Sequence, residues 1–346
     1  MKSFQEILDP FVQWGVMFAA AGTIGSWLGE ISWVLELTSH FQMQYAGILI
    51  LGACFWFLKR RPRAAVIAAS FACINLALIL PLYFRPDELS AHETPPLRLM
   101  QANVFRHNRD YDRLKQFIDD TKPDFVFLEE VDHRWIEALQ SLKSEYPFGE
   151  AVPREDNFGI AFLSRSPGTQ TEVVSLSKEK IPAIIAYVSI GSQKLTLIGA
   201  HPRSPINYWQ ARLRNEQLDE LAQIVDRLEG PLVLAGDLNT TSWSPVFKRF
   251  LRTSRLRDSC QGFGIQPTWP AGYWPLFIEI DHCLVSPGIV IHKRFVGPAI
   301  GSDHYPLVVE FSLEASDKTV EVDSSMESNP LRWKEQKSGR RSATMG

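Results

Sequence analysis

The sequence predicts an α/β domain preceded by transmembrane helices. Three windows near the amino terminus contain no Asp, Glu, Lys or Arg, and each is long enough to cross a bilayer. From Leu97 onward, short apolar runs alternate with turn residues and with amphipathic helical stretches, as in a folded domain. The chain therefore divides into a membrane region (1–85), a linker (86–96), a folded domain (97–315) and a disordered tail (316–346).

The three charge-free windows define the membrane region. They run from Pro10 to Gly29, from Leu37 to Leu58 and from Ala64 to Phe84, which is 20, 22 and 21 residues. The first is the most polar and contains four glycines, which lower its helix propensity. A cleaved signal peptide is the alternative interpretation, but its basic region is reduced to Lys2 and two further windows follow. The pattern predicts about three transmembrane helices.

A basic cluster sets the expected orientation of these helices. "KRRPR", from Lys59 to Arg63, joins the second and third windows, and short basic loops stay on the cytoplasmic side of a membrane. With three spans, the chain after Phe84 lies on the opposite face. We therefore expect an integral membrane protein whose folded domain is noncytoplasmic.

The folded domain contains eight candidate strands and two candidate helices. The strands are "LRLMQANVF", "DFVFLEEV", "FGIAFLSR", "AIIAYVSI", "KLTLIGAHP", "PLVLAGDLN", "EIDHCLVS" and "YPLVVEFSL". The helices are "YDRLKQFIDDT" and "YWQARLRNEQLDELAQIVDRL", which carry apolar residues at helical spacing. Several strands are apolar on both faces, so layers are expected on both sides of the sheets.

Polar side chains with acid, base or ligand chemistry end several of these strands. They are Asn103, Glu130, His201, Asp237, Asn239 and Asp281, and Asp303 and His304 precede the last strand. Taken singly, an Asp or Asn at the end of a strand is typical of a turn or a cap. Alternation along a strand puts Asp237 and Asn239 on one face, as a shared site requires. Together the eight residues predict one site.

The same segments resemble a known superfamily. "QANV", "FLEEV", "GIAFLSR", "GAHP", "GDLN", "EIDHCLVS" and "GSDHYPLVVEF" occur in the order typical of the endonuclease/exonuclease/phosphatase superfamily, and the resemblance covers residues 97–313. It implies a four-layer α/β/β/α sandwich with the site at one end of the paired sheets. The whole chain resembles bacterial membrane proteins that join a few spans to this domain, which implies the bacterial inner membrane.

The resemblance also implies a metal site. Asn103 and Glu130 match the positions that hold the metal in this superfamily. Asp303 matches a position close enough to assist in holding it. The superfamily normally has Gln at the position of Glu129; alternation would place Glu129 and Glu130 on opposite faces, and we assign the metal to Glu130. Oxygen ligands suit a hard cation, so Mg²⁺ is expected first and Mn²⁺ second.

The remaining residues match the chemistry of water attack on a phosphate ester. Attack builds negative charge on the nonbridging oxygens, which a cation and hydrogen-bond donors stabilise. The resemblance implies that His304 is the base that takes the proton of the attacking water and that Asp281 orients His304. Alternatively, Asp237 takes this proton while Asn239 positions the phosphate. His201 matches a second imidazole that donates to a phosphate oxygen or to the leaving group.

Two observations bear on the substrate. In the deoxyribonuclease branch a Glu braces the second His, but residues 157–160 are Asn, Phe, Gly and Ile. Residues 86–315 carry 24 Lys and Arg against 30 Asp and Glu, so their net charge is −6. Proteins that bind several phosphates of a duplex usually present a basic surface. Nucleic acid is therefore not indicated by charge.

Three hypotheses follow. The first is a membrane-anchored, metal-dependent phosphoesterase acting on a phosphodiester, either a nucleic acid or a lipid headgroup. The second is a phosphomonoesterase of the same fold, for instance one acting on inositol phosphates. The third is a catalytically inactive membrane scaffold, which the complete set of site residues disfavours. The sequence leaves the oligomeric state open.

Overall fold

The computed structural model describes residues 4–84 and 96–314. Apart from Pro96, the predicted linker of residues 86–96 lies outside the described residues. So does the predicted tail of residues 316–346.

Four helices form the described part of the amino-terminal region. They are α1 (Phe4–Trp27), α2 (Trp33–Thr38), α3 (Gln42–Leu58) and α4 (Pro62–Ile79). Two stretches, Trp33–Leu58 and Pro62–Tyr83, are long and apolar enough to cross a membrane. They contain the second charge-free window and most of the third.

Helix α1 runs antiparallel to α3. Gly22 lies against the ring of Tyr45, where an added Cβ would come within 2.3 Å of Cζ. Small residues allow helices to approach closely in this way. At the other end of α1, Asp9 pairs with Lys59 at 3.6 Å and with Arg61 at 3.1 Å. The start of α1 therefore lies beside the basic loop that follows α3.

The folded domain is built on two six-stranded sheets, with strands numbered in chain order. Sheet A has the order β11 (Ile289–Val296), β12 (Leu307–Leu313), β1 (Leu97–Asn103), β2 (Phe125–Glu129), β4 (Ile160–Ser164) and β3 (Phe148–Val152). Sheet B has the order β5 (Gln170–Leu176), β6 (Ile181–Ile190), β7 (Gln193–Ala200), β8 (Leu232–Asp237), β10 (Asp281–Val285) and β9 (Arg257–Asp258).

Apolar side chains from both sheets form a continuous core between them, with Phe127 and Phe162 from sheet A and Leu197 from sheet B. Gly199 lets the sheets approach, because a Cβ there would lie 2.2 Å from the Phe127 ring. Helices cover the outer faces, namely α5 (Tyr111–Thr121) and α6 (His133–Ala138) on sheet A and α7 (Tyr208–Asp226) and α8 (Pro245–Ser254) on sheet B. The predicted four-layer α/β/β/α sandwich is confirmed.

Strand pairing brings the polar strand ends together. In sheet A, β1 and β2 are parallel, so Asn103 at the end of β1 is level with Glu129. In sheet B, β10 runs antiparallel to β8, so its first residue, Asp281, lies opposite the last residue of β8, Asp237. Since β1 also packs against β8 and β10, these ends share one edge of the sandwich.

The amino-terminal region packs against the folded domain near this edge. The side chain of Trp243 lies in a cluster with Ala46 of α3 and Ile79 of α4. The backbone amides of Gly262 and Gly264 both donate to the carbonyl oxygen of Leu82 at 2.8 Å. The two parts of the chain are therefore joined by apolar contacts as well as by hydrogen bonds.

Candidate active site

Asp237 is the centre of the polar cluster at this edge. Its Oδ2 lies 3.4 Å from Nε2 of His201, 3.6 Å from Nε2 of His304 and 3.2 Å from Nδ2 of Asn103. Its Oδ1 accepts a hydrogen bond from the backbone amide of Asn239 at 3.0 Å. All five residues are buried. Side chains that the sequence separates by up to 201 positions thus surround a single carboxylate.

A second buried carboxylate, Asp281, orients His304. Its Oδ2 lies 2.8 Å from Nδ1 of His304, and its Oδ1 accepts from Nε2 of Gln101 at 2.8 Å. The same Gln101 nitrogen donates to Oε2 of Glu129 at 2.8 Å. Glu129, Gln101, Asp281 and His304 therefore form one connected row from sheet A to the imidazole.

Glu130 lies beside Asn103, as a shared metal site requires. The amide nitrogen of Asn103 is 3.2 Å from Oε1 of Glu130. The expectation that Glu129 and Glu130 point to opposite faces is wrong. Glu130 has a left-handed backbone (φ 61°), which interrupts the alternation of side chains along the strand. Glu129 therefore contacts Gln101 and Glu130 contacts Asn103, and these two partners lie on the same face of β1.

His201 follows β7 and lacks the carboxylate brace of the deoxyribonuclease branch. Among the residues that the structure describes, none makes a hydrogen bond to its buried Nδ1. The ring of Phe158 lies near the imidazole instead, with centroids 5.7 Å apart, and the guanidinium of Arg203 lies over that phenyl ring. The structure thus agrees with the sequence of residues 157–160, which has no Glu to brace this imidazole.

Asn239 has left strand β8, and its backbone is left-handed (φ 52°). Its side-chain oxygen accepts from the Ser204 hydroxyl at 2.7 Å, and its nitrogen donates to the Pro202 carbonyl at 3.0 Å. These bonds hold the amide beside the loop that carries His201. The expected proximity of Asp237 and Asn239 arises from a tight turn rather than from strand alternation.

Asp303 is the most exposed of the predicted residues. Its Oδ2 accepts a hydrogen bond from the indole nitrogen of Trp269 at 3.3 Å. The neighbouring Ser302 hydroxyl donates to the Asn103 carbonyl at 2.7 Å, so the turn carrying Asp303 adjoins the base of the site.

Burial and mutual charge shift the pKa values of the site. Burial alone would lower the pKa of His304, but Asp281 and Asp237 outweigh it and raise this pKa to about 10. Burial would lower the pKa of His201, but the hydrogen bond to Asp237 and the negative charges of Asp237 and Glu130 together outweigh burial and raise this pKa to about 9. Burial would raise the pKa of Asp237, yet the two imidazoles hold it below its usual value. At neutral pH these shifts favour an ionised Asp237 between two protonated imidazoles.

Burial, reinforced by Asp281, raises the pKa of Glu129 to about 8 against the opposing effect of His201. Near neutral pH this shift favours the protonated, uncharged form of the carboxyl group. A neutral carboxyl group has nearly the shape of the Gln amide that the superfamily pattern has at this position. Glu129 thus departs from that pattern without adding a charge to the site.

The Endonuclease/Exonuclease/phosphatase family model matches residues 100–304. This match covers more than half of the chain and contains all eight predicted site residues. The chain belongs to the endonuclease/exonuclease/phosphatase family. Members of the family are hydrolases that act on phosphate esters, and they commonly use divalent metal ions.

Solved structures share the fold at low identity. TDP2 of D. rerio complexed with single strand DNA product has a TM-score of 0.53 and 18% identity, over 63% of this chain and 100% of that one. The human Nocturnin catalytic domain with bound sulfate gives 0.52 and 18%, over 63% and 94%. A family member from Bacteroides vulgatus gives 0.52 and 19%, over 64% and 100%. No curated protein matches the chain.

The donor set of the site fits a divalent cation. Leaving aside the protonated Glu129, the cluster has the carboxylates of Glu130, Asp237, Asp281 and Asp303 beside two imidazoles, and the buried ion pairs of Asp237 and Asp281 are with those imidazoles. Carboxylate and amide oxygens are the ligands that hard cations take. Within the described residues, ligand atoms of Asp237, Asp281 and His304 lie within 4.8 Å of one another, which makes this trio a second candidate position.

Sequence reasoning missed the side chains that support the site. Gln101 was detectable, because it is polar in a buried strand and two residues before Asn103. The Thr268 hydroxyl accepts a hydrogen bond from the Asp281 amide at 3.3 Å, and Trp269 donates to Asp303. Both residues lie in a loop whose sequence has no periodic pattern that would predict a role in the site. Arg214, which donates to the Asn239 carbonyl at 2.7 Å, is one of several charged residues of α7.

Proposed function

We propose that the protein is a membrane-anchored phosphodiesterase that uses a divalent cation and attacks its substrate with water. The convergence on Asp237 carries the proposal. His201 and His304 approach its Oδ2 to 3.4 and 3.6 Å in a family of phosphate-ester hydrolases. A phosphate bound there meets donors for its nonbridging oxygens and a carboxylate able to take a proton.

The roles of the residues follow from this geometry. Each ring nitrogen of His304 faces a carboxylate, Asp281 at 2.8 Å and Asp237 at 3.6 Å, so we assign the imidazole as a charged donor. His201 is the second donor. Asp237 then accepts the proton of the attacking water, and Asn239 positions the phosphate. Asp281 holds His304 in place throughout.

We assign the cation to Glu130 and Asn103, with Asp303 assisting. Mg²⁺ suits these oxygen ligands best and Mn²⁺ next. When bound, the cation polarises a phosphoryl oxygen and offsets the charge that develops on it.

The membrane anchor consists of α1, α3 and α4 in this proposal, with the folded domain on the noncytoplasmic side of a bacterial inner membrane. The basic loop of Lys59–Arg63 lies at one end of the bundle, beside Asp9. The folded domain contacts the opposite end, around Leu82. This arrangement agrees with the positive-inside rule.

A reporter-fusion experiment tests the orientation. An alkaline phosphatase reporter fused after Phe84 should be active, because that enzyme requires the noncytoplasmic compartment. The same reporter inserted between Lys59 and Arg63 should be inactive. A cytoplasmic fluorescent reporter at the same two sites serves as the control and should give the reverse pattern. Activity of the phosphatase at the basic loop would overturn both the orientation and the assigned compartment.

Two exposed apolar segments favour a lipid substrate over a nucleic acid. The first, Ile206 to Trp209, follows the His201 loop; the second, Tyr273 to Leu276, leads toward Asp281. Trp209 is 67% exposed and Trp274 is 77% exposed. Exposed aromatic residues of this kind are enriched at membrane interfaces, whereas a net charge of −6 does not favour a polyanion.

The second segment connects the site to the membrane end of the protein. Close to it, the Ala271 amide donates to the Asp303 carbonyl at 2.7 Å. Just after it, the Phe277 carbonyl accepts from Gln44 in the first turn of α3, at 2.9 Å. Because Gln44 lies at the end of α3 opposite Lys59, the segment lies at the expected bilayer surface. A phosphodiester in a lipid headgroup would meet the site there.

A substrate panel on the full-length protein with Mg²⁺ tests this function. We expect turnover of phospholipid in vesicles and of a small soluble diester such as bis(p-nitrophenyl) phosphate, with little on single-stranded or duplex DNA, RNA or phosphomonoesters. Trp274→Ala should lower vesicle turnover about tenfold, equivalent to about 1.4 kcal/mol, because the contact of the site with the lipid headgroups is weakened. It should leave turnover of the soluble diester unchanged.

Val173→Ala is the matched control, since Val173 is exposed and apolar on strand β5. It should leave both activities unchanged. Equal losses on both substrates for Trp274→Ala would show that the segment belongs to the site rather than to a membrane surface. Preference for phosphomonoesters would replace the diesterase assignment, and inactivity on the whole panel would favour the scaffold hypothesis.

A further inference from the structure

A buried ion pair joins the amino-terminal region to the folded domain. Glu36 of α2 and Arg214 of α7 are 1% and 0% exposed, and the Arg214 Nη2 donates to Oε2 of Glu36. The other carboxylate oxygen of Glu36 accepts from the Ser244 hydroxyl at 2.7 Å. One turn later, Nδ1 of His40 lies 3.0 Å from the Thr241 hydroxyl. Two side chains of the amino-terminal region therefore reach the segment that follows β8.

The same guanidinium reaches the active-site loop. Nη1 of Arg214 donates to the carbonyl oxygen of Asn239 at 2.7 Å. Asn239 has a left-handed backbone, which residues other than glycine adopt only where their surroundings impose it. Arg214 thus connects Glu36 to the backbone carbonyl of Asn239. This backbone lies two residues after Asp237 and orients the side-chain amide of Asn239.

Attachment alone does not account for this pair. The apolar cluster around Trp243 and the hydrogen bonds to Leu82 already join the two parts of the chain. A buried ion pair adds little net stability over apolar side chains of similar volume. A guanidinium, however, fixes two acceptors in one plane with a rigid geometry. The chemistry of the pair suits positioning better than adhesion.

We propose that Glu36 is a positioning residue of the active site: through Arg214 it fixes the backbone at Asn239, so that catalysis requires the amino-terminal region to be docked on the folded domain. The inference rests on the proposed function for its kinetic consequences. It assigns the amino-terminal helices a part in catalysis in addition to anchoring.

The test uses the full chain in detergent micelles with Mg²⁺ and bis(p-nitrophenyl) phosphate. Glu36→Gln keeps the shape of the side chain and removes its charge. We expect kcat to fall by about 10- to 100-fold, as small misplacements of catalytic groups do, with KM changed less than about twofold. Because Glu36 acts through Asn239, the same change in an Asn239→Ala background should cost less than about twofold.

Two further variants separate positioning from folding. Glu310→Gln breaks the Arg98–Glu310 pair, 2.8 Å long and at the far end of β1 from Asn103, and should leave kcat unchanged. The double variant Glu36→Gln/Arg214→Gln removes the unpaired buried charge and should recover the melting temperature while kcat stays low. Recovery of kcat in the double variant would overturn the proposal, as would an equal loss from Glu36→Gln in the Asn239→Ala background.

Hydrogen–deuterium exchange provides a readout that does not depend on the substrate. In Glu36→Gln, amides of residues 239–244 should exchange faster, while those of strand β8 should be unchanged. If the wild-type protein hydrolyses no diester but this exchange difference is present, the proposed function fails and the positioning link stands. Unchanged exchange at 239–244 would overturn the link itself.

Discussion

Replacement of His304 by Ala is expected to lower kcat by about 10³-fold, the scale of a positioned proton-transfer or donor group. Asp281→Asn should cost about 10²-fold, because Asp281 acts through the imidazole, whose Nδ1 lies 2.8 Å from Oδ2. The double variant should be little worse than His304→Ala alone, since residues that act as one unit are not additive. Steady-state turnover of a soluble diester measures all three.

His133 provides the matched control, because it is an exposed imidazole in the first turn of α6. His133→Ala should keep wild-type kcat. If the losses from His304→Ala and Asp281→Asn multiply in the double variant, the two residues do not act as a pair. A loss from Asp237→Asn that is smaller than that from His304→Ala would contradict the assignment of Asp237 as proton acceptor and favour His304.

The sequence predicted the buried strands well and the edges poorly. Strands in the middle of each sheet, such as "DFVFLEEV" and "PLVLAGDLN", are continuous apolar runs that burial on both faces explains. The strands that the pattern missed, β3, β5, β9 and β11, are the four sheet edges. Edge strands are partly solvated, so their apolar signal is weaker; in β5, for example, Glu172 and Val173 are both exposed.

The site residues were predictable because chemistry and topology coincide. Parallel pairing of β1 with β2 and antiparallel pairing of β8 with β10 bring strand ends to one edge, so polar residues at those ends meet. The relation between Glu129 and Glu130 was not predictable. The alternation of side chains ends at Glu130, whose backbone is left-handed. The segment "FLEEV" contains no Gly, Asn or Asp that would predict this conformation.

Glu36 illustrates a different limit of sequence reasoning. It lies between the first two charge-free windows, where an acidic residue is expected in a solvated loop. Its partner Arg214 is 178 residues away in an amphipathic helix rich in charges. Pairing over that separation depends on how the amino-terminal region docks, which local patterns do not encode.

Replacement of Glu130 by Gln is expected to lower turnover by about 10³-fold even in saturating Mg²⁺, because the substitution removes a charged ligand from the proposed cation site. Binding of Mn²⁺, followed by electron paramagnetic resonance without substrate, should weaken at least about tenfold, since ligand charge sets the affinity of such sites. The melting temperature should change little, because Gln retains an oxygen to accept the Arg106 amide bond of 3.3 Å.

Metal binding by two further variants decides where the cation lies. Glu137→Gln removes an exposed carboxylate on α6 and should change neither turnover nor Mn²⁺ binding. Asp281→Asn should keep Mn²⁺ binding near the wild-type level while losing turnover, because we assign Asp281 to His304 rather than to the cation. If Asp281→Asn abolishes Mn²⁺ binding and Glu130→Gln preserves it, the cation belongs to the Asp237, Asp281 and His304 trio, whose ligand atoms lie within 4.8 Å of one another. His304 would then be a ligand, and its loss in turnover would reflect metal release instead of donation to the phosphate.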